Sequence, residues 1–104
     1  MLESKFQREV IEDLKEMFPG AIIYKNEGKQ GLPDLTVLWD KNWALLECKK
    51  SADADHQPNQ DFYVKHADAM SFSRFIYPEN KQEVLHELQQ AFRVGRETRP
   101  SESE

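Results

Sequence analysis

Apolar side chains recur at helical spacing from residue 2 to residue 18: Leu2, Phe6, Val10, Leu14 and Met17 form one stripe, and Ile11 and Phe18 widen it. Pro19 and Gly20 end that helix. The run "AIIYKNE" then reads as a short strand, and "GKQG" with Pro33 reads as a mobile loop between strands. "LTVLW" and "WALL" follow as two apolar strands joined by a tight polar turn. After "ECKK" the segment "SADADHQPN" is polar and turn-rich, and Pro58 suits the first turn of a helix running to about Met70. "SFSRFIY" is rich in aromatic and β-branched residues, as a strand is, and Pro78 closes it. Asn80 and Glu83 have the spacing of a capping box, after which Val84, Leu85, Leu88, Ala91 and Phe92 make the apolar face of a last helix.

The order is helix, strand, strand, strand, helix, strand, helix, which predicts an α/β fold: a small mixed β-sheet flanked by helices. A single domain is expected over residues 1–92, with residues 93–104 losing periodicity as a flexible tail.

Composition narrows the class. The 104 residues are 38% hydrophobic, 11% aromatic and 32% charged, enough for one small core beneath a strongly polar surface. No apolar run approaches the roughly 20 residues that span a bilayer, so no membrane partner is expected. The N-terminus has no signal architecture, and the single Cys48 forms no intrachain disulfide, so the cytoplasm is the expected location. The net charge of −5 argues against a diffuse basic surface, yet Lys25, Lys29, Lys41, Lys49 and Lys50 concentrate near the central strands and form a local basic edge.

The central hairpin raises a question of chemistry. A two-residue loop at Lys41 and Asn42 sets Asp40 opposite Trp43, Thr36 opposite Glu47 and Asp34 opposite Lys49. With side chains alternating, Asp34, Thr36, Glu47 and Lys49 then share one face. Opposed Cβ atoms lie roughly 5 Å apart and diagonal ones roughly 7 to 8 Å. Two carboxylates at that separation repel unless a cation lies between them. Magnesium, which takes about six oxygens including one or two carboxylates, is the natural occupant. The backbone carbonyl of Cys48 offers another oxygen, while its thiol points to the opposite face. Lys49 is placed to stabilise developing phosphate charge or orient a water. The alternative, a surface hairpin with solvated charges, fits poorly because "LTVLW" and "WALL" are apolar on both faces, as in a covered hairpin.

The helices add candidates. Glu3 and Gln7 fall inside the first apolar stripe, so Glu3 either escapes to solvent at the helix end or joins the cluster as a third acid, with Glu9 next in line. Gln60 shares a side with Val64 and Ala67, where packing alone prefers an aliphatic residue. Tyr63 and Lys65 either cover the sheet or contact substrate. His56, His66 and His86 lack zinc-ligand spacing with Cys48, and no glycine-rich phosphate loop is present.

Pro33-Asp34, a strand, and then Glu47-Cys48-Lys49 resemble the PD-(D/E)XK nuclease motif. With Glu3 and Gln7 in "ESKFQREV" and Gln60 in the following helix, the chain is most similar over residues 3–77 to small stand-alone virus-type replication-repair nucleases, the VRR-NUC branch. More loosely, it resembles Holliday junction resolvases. The resemblance implies a restriction-endonuclease-like core and a Mg2+- or Mn2+-dependent endonuclease that hydrolyses phosphodiesters in branched DNA. It further implies Asp34, Glu47, the Cys48 carbonyl and Glu3 at the metal, Lys49 as the catalytic lysine, and Gln60 beside them. Lys25, Lys29, Lys50 and Lys65 are the expected DNA contacts. A homodimer is implied, with Trp39, Trp43, Phe72 and Phe75 as candidate interface residues, acting in phage or host DNA processing. Two alternatives stay open: a nicking or restriction-like nuclease that needs a partner, and a non-catalytic DNA-binding module on the same fold.

Overall fold

In the computed structural model, which describes residues 2–97, the first apolar stripe winds into α1 (Glu3–Met17) and buries Phe6, Val10 and Leu14. Each such burial stabilises by roughly 1.5 to 3 kcal/mol. Leu2 does not join them: it is the N-cap, outside the helix proper, and is 74% exposed. The exit from α1 is made by Gly20 at φ 87°, a left-handed conformation that costs glycine nothing.

The expected order is observed. β1 (Ile22–Lys25), β2 (Leu35–Trp39) and β3 (Asn42–Cys48) form an antiparallel meander. α2 (Gln60–Met70) then carries the chain across to β4 (Ser73–Ile76), which pairs parallel to β3, and α3 (Lys81–Glu97) follows. The sheet order is β1-β2-β3-β4, and the fold is a mixed α/β one. α1 and α3 cover one face, where Leu35, Val37, Ala44, Leu46 and Cys48 meet Phe6, Val10, Leu14, Val84, Leu88 and Phe92. α2 packs on β3 and β4 from the other face through Val64 and Ala67. Among the described residues no helix is long and apolar enough to cross a membrane.

The hairpin register differs from the expected one. Trp39 pairs with Asn42 and Leu35 with Leu46, so the loop is Asp40 and Lys41 and the strands are displaced by two residues. Asp40 supplies the positive φ of 59° that a tight loop demands and that Asp tolerates. A shift of two preserves which face each side chain takes. It changes the pairs: Thr36 lies across from Leu45, and continuing the ladder sets Asp34 across from Glu47, not Lys49.

Other expectations shift for local reasons. α3 continues to Glu97, beyond the end expected at residue 92, and residues 98–104 of the expected tail lie outside the described residues. Asn80 does not cap α3 with its side chain; the amide turns back, accepting from Tyr77 N–H at 2.8 Å and donating to the Phe75 carbonyl at 3.0 Å. Pro58 precedes α2, whose N-cap is Asn59 in a left-handed conformation. Three of the candidate interface aromatics are buried or have ring partners within the chain. Trp39 packs 5.0 Å from Phe18, Phe72 is buried, and Phe75 stacks on His56 at 4.1 Å. Trp43 alone of the four is half-buried without such a ring partner. The hairpin is covered near Asp34 but not toward its turn, where Leu38 is 36% exposed on the part of the sheet that α2 does not reach.

Candidate active site

Five of the residues singled out from sequence meet at one end of the sheet because each stands at the end of an element. Asp34 precedes β2, Glu47 is the last residue but one of β3, Lys49 follows β3, Gln60 opens α2 and Glu3 opens α1. All five line one open cleft of about 470 Å³, together with Lys50, Ala54, Asp55 and Gln57.

Asp34 is aimed by its surroundings. Pro33 is buried, and its carbonyl accepts a hydrogen bond from Asn26 Nδ2 at 2.8 Å, while Thr36 Oγ1 donates to Asn26 Oδ1 at 2.9 Å. Thr36 therefore braces the strand entry and does not reach the cleft. Asp34 Oδ2 accepts the Cys48 backbone N–H at 3.0 Å, which fixes one carboxylate oxygen beside the end of β3.

Glu47 is only 3% exposed. Its Oε2 accepts from Gln60 Nε2 at 3.0 Å, and its Oε1 is buried with no donor. Burial above all, then the charge of Asp34, pushes the Glu47 carboxyl from an ordinary 4.5 up to about 8; Lys49 partly offsets this and Glu3 adds to it. A proton shared with Asp34, a water or a cation would satisfy that orphaned oxygen.

Lys49 lies elsewhere than the expected register put it. It is 5% exposed, and its Nζ donates to Gln60 Oε1 at 2.7 Å and to the Asp55 carbonyl at 2.9 Å. Gln60 Oε1 also accepts the Gln57 N–H at 2.7 Å. The amide orientation is thereby dictated: oxygen toward two donors, nitrogen toward Glu47. One glutamine bridges the buried acid and the buried base.

Glu3 reaches the cleft from its rim, exposed and not on the buried face of α1; Glu9 does not line it. Cys48 closes β3 with its thiol wholly buried, and burial raises the thiol well above its ordinary range, so the side chain is no nucleophile. Its carbonyl remains the candidate oxygen. Of the expected DNA-contacting cations Lys50 lines the cleft, while Lys25, Lys29 and Lys65 are exposed outside it. The contributions of Asn26, Asp55 and Gln57 were missed: the last two act through backbone atoms, which leave no side-chain signature.

Neither family models, nor curated proteins, nor solved structures match this chain.

A divalent cation nonetheless fits the donor set. Among the described residues no three His, Cys, Asp or Glu side chains are gathered as a ready-made cage. Two opposed carboxylates with an orphaned oxygen, supplemented by a backbone carbonyl and water, match what magnesium or manganese takes. Among the described residues zinc has no comparable set.

The "GKQG" loop is exposed at Gly28, Lys29 and Gln30 and meets the rest of the chain closely at Gly31. Gly31 has φ 88°, and a Cβ there would lie 2.8 Å from both Asn59 Cβ and the Pro58 carbonyl oxygen, on the turn that launches Gln60. Gly31→Ala is expected to lose roughly 2 to 4 kcal/mol of stability through strain and overpacking. Urea denaturation checks this; a loss below about 0.5 kcal/mol would refute the close approach.

Proposed function

We propose that this chain is a divalent-metal-dependent endodeoxyribonuclease hydrolysing phosphodiesters in branched DNA, as its resemblance to PD-(D/E)XK nucleases suggests. The observation that carries the reading is the half-buried Asp34 beside the buried Glu47, whose Oε1 has no donor and which is coupled through Gln60 to a buried Lys49.

In this reading Asp34, Glu47 and the Cys48 carbonyl hold Mg2+ or Mn2+, with Glu3 reaching in from the rim. When bound, the metal supplies Lewis-acid polarisation of the phosphate and a more acidic water. The chain's own residues do the rest. Gln60 and the Asp55 carbonyl hold Lys49 Nζ at the cleft, where its charge opposes the negative charge gathering on the phosphate oxygens. Asp34, fastened to the Cys48 N–H, keeps the acidic pair in register without reorganisation. Water oxygen adds to phosphorus as the bond to the 3′ oxygen breaks, and that oxygen takes a proton to leave 5′-phosphate and 3′-hydroxyl ends. A two-fold homodimer suits a branched substrate cut symmetrically on two strands, since so small a chain covers few phosphates alone. Such a protein would work in the cytoplasm.

The test is cleavage of a labelled four-way junction, a flap and a linear duplex with Mg2+, Mn2+ or chelator. Metal-dependent cutting that favours the branched substrates is expected; no cutting under any condition, with DNA still bound, would replace the nuclease with a non-catalytic binding module. Asp34→Asn is expected to weaken Mn2+ binding by calorimetry by at least the roughly 10-fold that even an outer-sphere loss costs. Unchanged Mn2+ affinity would remove Asp34 from the ligand set.

A further inference from the structure

The outer side of α2 carries aromatic surface that the cleft does not use. Phe62 is 60% exposed, an unusual state for a large aromatic ring. It stacks nearly parallel on His66, with centroids 5.3 Å apart at 10°, and meets Tyr63 edge-on at 5.3 Å. Phe62, Lys65, His66 and Ala69 line a shallow concavity of about 320 Å³. From the β1–β2 loop, Lys29 Nζ lies 5.9 Å over the Tyr63 ring. The acids on this helix are already engaged, Asp61 by His56 and Asp68 by Arg74, whereas neither Lys29 nor Lys65 pairs with a carboxylate among the described residues.

We infer that Phe62 and His66, flanked by Lys29 and Lys65, form a base-stacking platform for an unpaired stretch of the DNA substrate. Exposed rings interleaved with cations are what single strands require: every base has a face to stack, and every phosphate seeks a positive charge. A second copy of the chain would bury the rings equally well but gives no reason for two lysines beside them that pair with no carboxylate among the described residues. Helical spacing sets Phe62 across α2 from Gln60, so the platform lies about one helix diameter, roughly 10 Å, from the cleft. That is the reach of a few stacked nucleotides. The proposal rests on the nuclease reading and narrows it: the preferred substrate has unpaired nucleotides beside the cut, as at a fork or flap.

The experiment is binding of a forked duplex carrying 2-aminopurine in its unpaired arm, beside a blunt duplex, in chelator so that no turnover is needed. With the parent protein, stacking is expected to quench the probe. Phe62→Ala is expected to abolish the quench and weaken fork binding roughly tenfold, collapsing the preference for fork over blunt duplex, and Phe62→Trp to restore both. Absence of quenching with the parent, or a Phe62→Ala protein that binds the fork as the parent does, overturns the platform. So does a Phe62→Ala protein that sediments as a monomer where the parent is a dimer, since the face then serves a second copy. Quenching by a parent that cuts no DNA with Mg2+ or Mn2+ supports the platform and sinks the nuclease reading instead.

Discussion

Lys49→Ala is expected to lower metal-dependent DNA cleavage by a factor of at least roughly 10² to 10³, the loss that follows removal of one preorganised electrostatic contact. Lys49 is 5% exposed and held by Gln60 Oε1 and the Asp55 carbonyl, so its position is fixed before substrate arrives. Truncation leaves Gln60 Oε1 the Gln57 N–H, so the bridge to Glu47 survives and the fold is retained. It also removes the positive charge that holds the Glu47 carboxyl down, which raises that group further and narrows the pH range in which both acids are ionised. Arg is not expected to rescue, because a planar guanidinium cannot take the place of a compact ammonium between two fixed acceptors. The checks are single-turnover cleavage rates, circular dichroism and Mn2+ titration of Lys49→Ala and Lys49→Met. A folded, Mn2+-binding protein without turnover is the expected outcome; turnover within a few-fold of the parent would take Lys49 out of the chemistry.

The element order was legible because each element carries its own period, as Phe6, Val10 and Leu14 do on α1. The clustering of Asp34 and Glu47 was legible for a similar reason: alternation along a strand decides the face, and it survives a register error of two residues. What sits opposite what was not legible, since it depends on whether Asp40 or Asn42 enters the loop, and both residue types tolerate it. That choice decides whether Asp34 faces Lys49 or Glu47, and with it the electrostatics of the site. Helical periodicity set Glu3 inside the apolar stripe and left open whether it escapes to solvent or joins the acids; it does both, lining the cleft from an exposed position at the start of α1. The partners of Lys49 Nζ could not be read either. One is a backbone carbonyl in "SADADHQPN", whose position owes nothing to the Asp55 side chain.

Glu47→Gln is expected to make the metal-free protein more stable at pH 8 while abolishing metal-dependent cleavage. Folding raises the Glu47 carboxyl from 4.5 to about 8, chiefly through burial and then through Asp34. Between those values the folded state holds a proton that the unfolded state has released, so stability falls as pH rises through this window and levels off above about 8. The neutral amide does not titrate: its oxygen accepts from Gln60 Nε2, and its NH2 replaces the orphaned Oε1 and can donate to Asp34. The gain at pH 8 is on the order of 1 to 3 kcal/mol, discounted from full linkage because Asp34 is half-buried and solvent in the open cleft screens its side of the pair. Mn2+ reverses the ranking. It stabilises the parent by binding only the folded state, and it gives little to Glu47→Gln, which lacks a ligand. Thermal melts from pH 5 to 9, in chelator and in Mn2+, separate these outcomes. A parent whose melting temperature is flat with pH in chelator, and no lower than that of Glu47→Gln, would mean that Glu47 is not the strained acid of this site; the same protection by Mn2+ in both proteins would place the cation elsewhere.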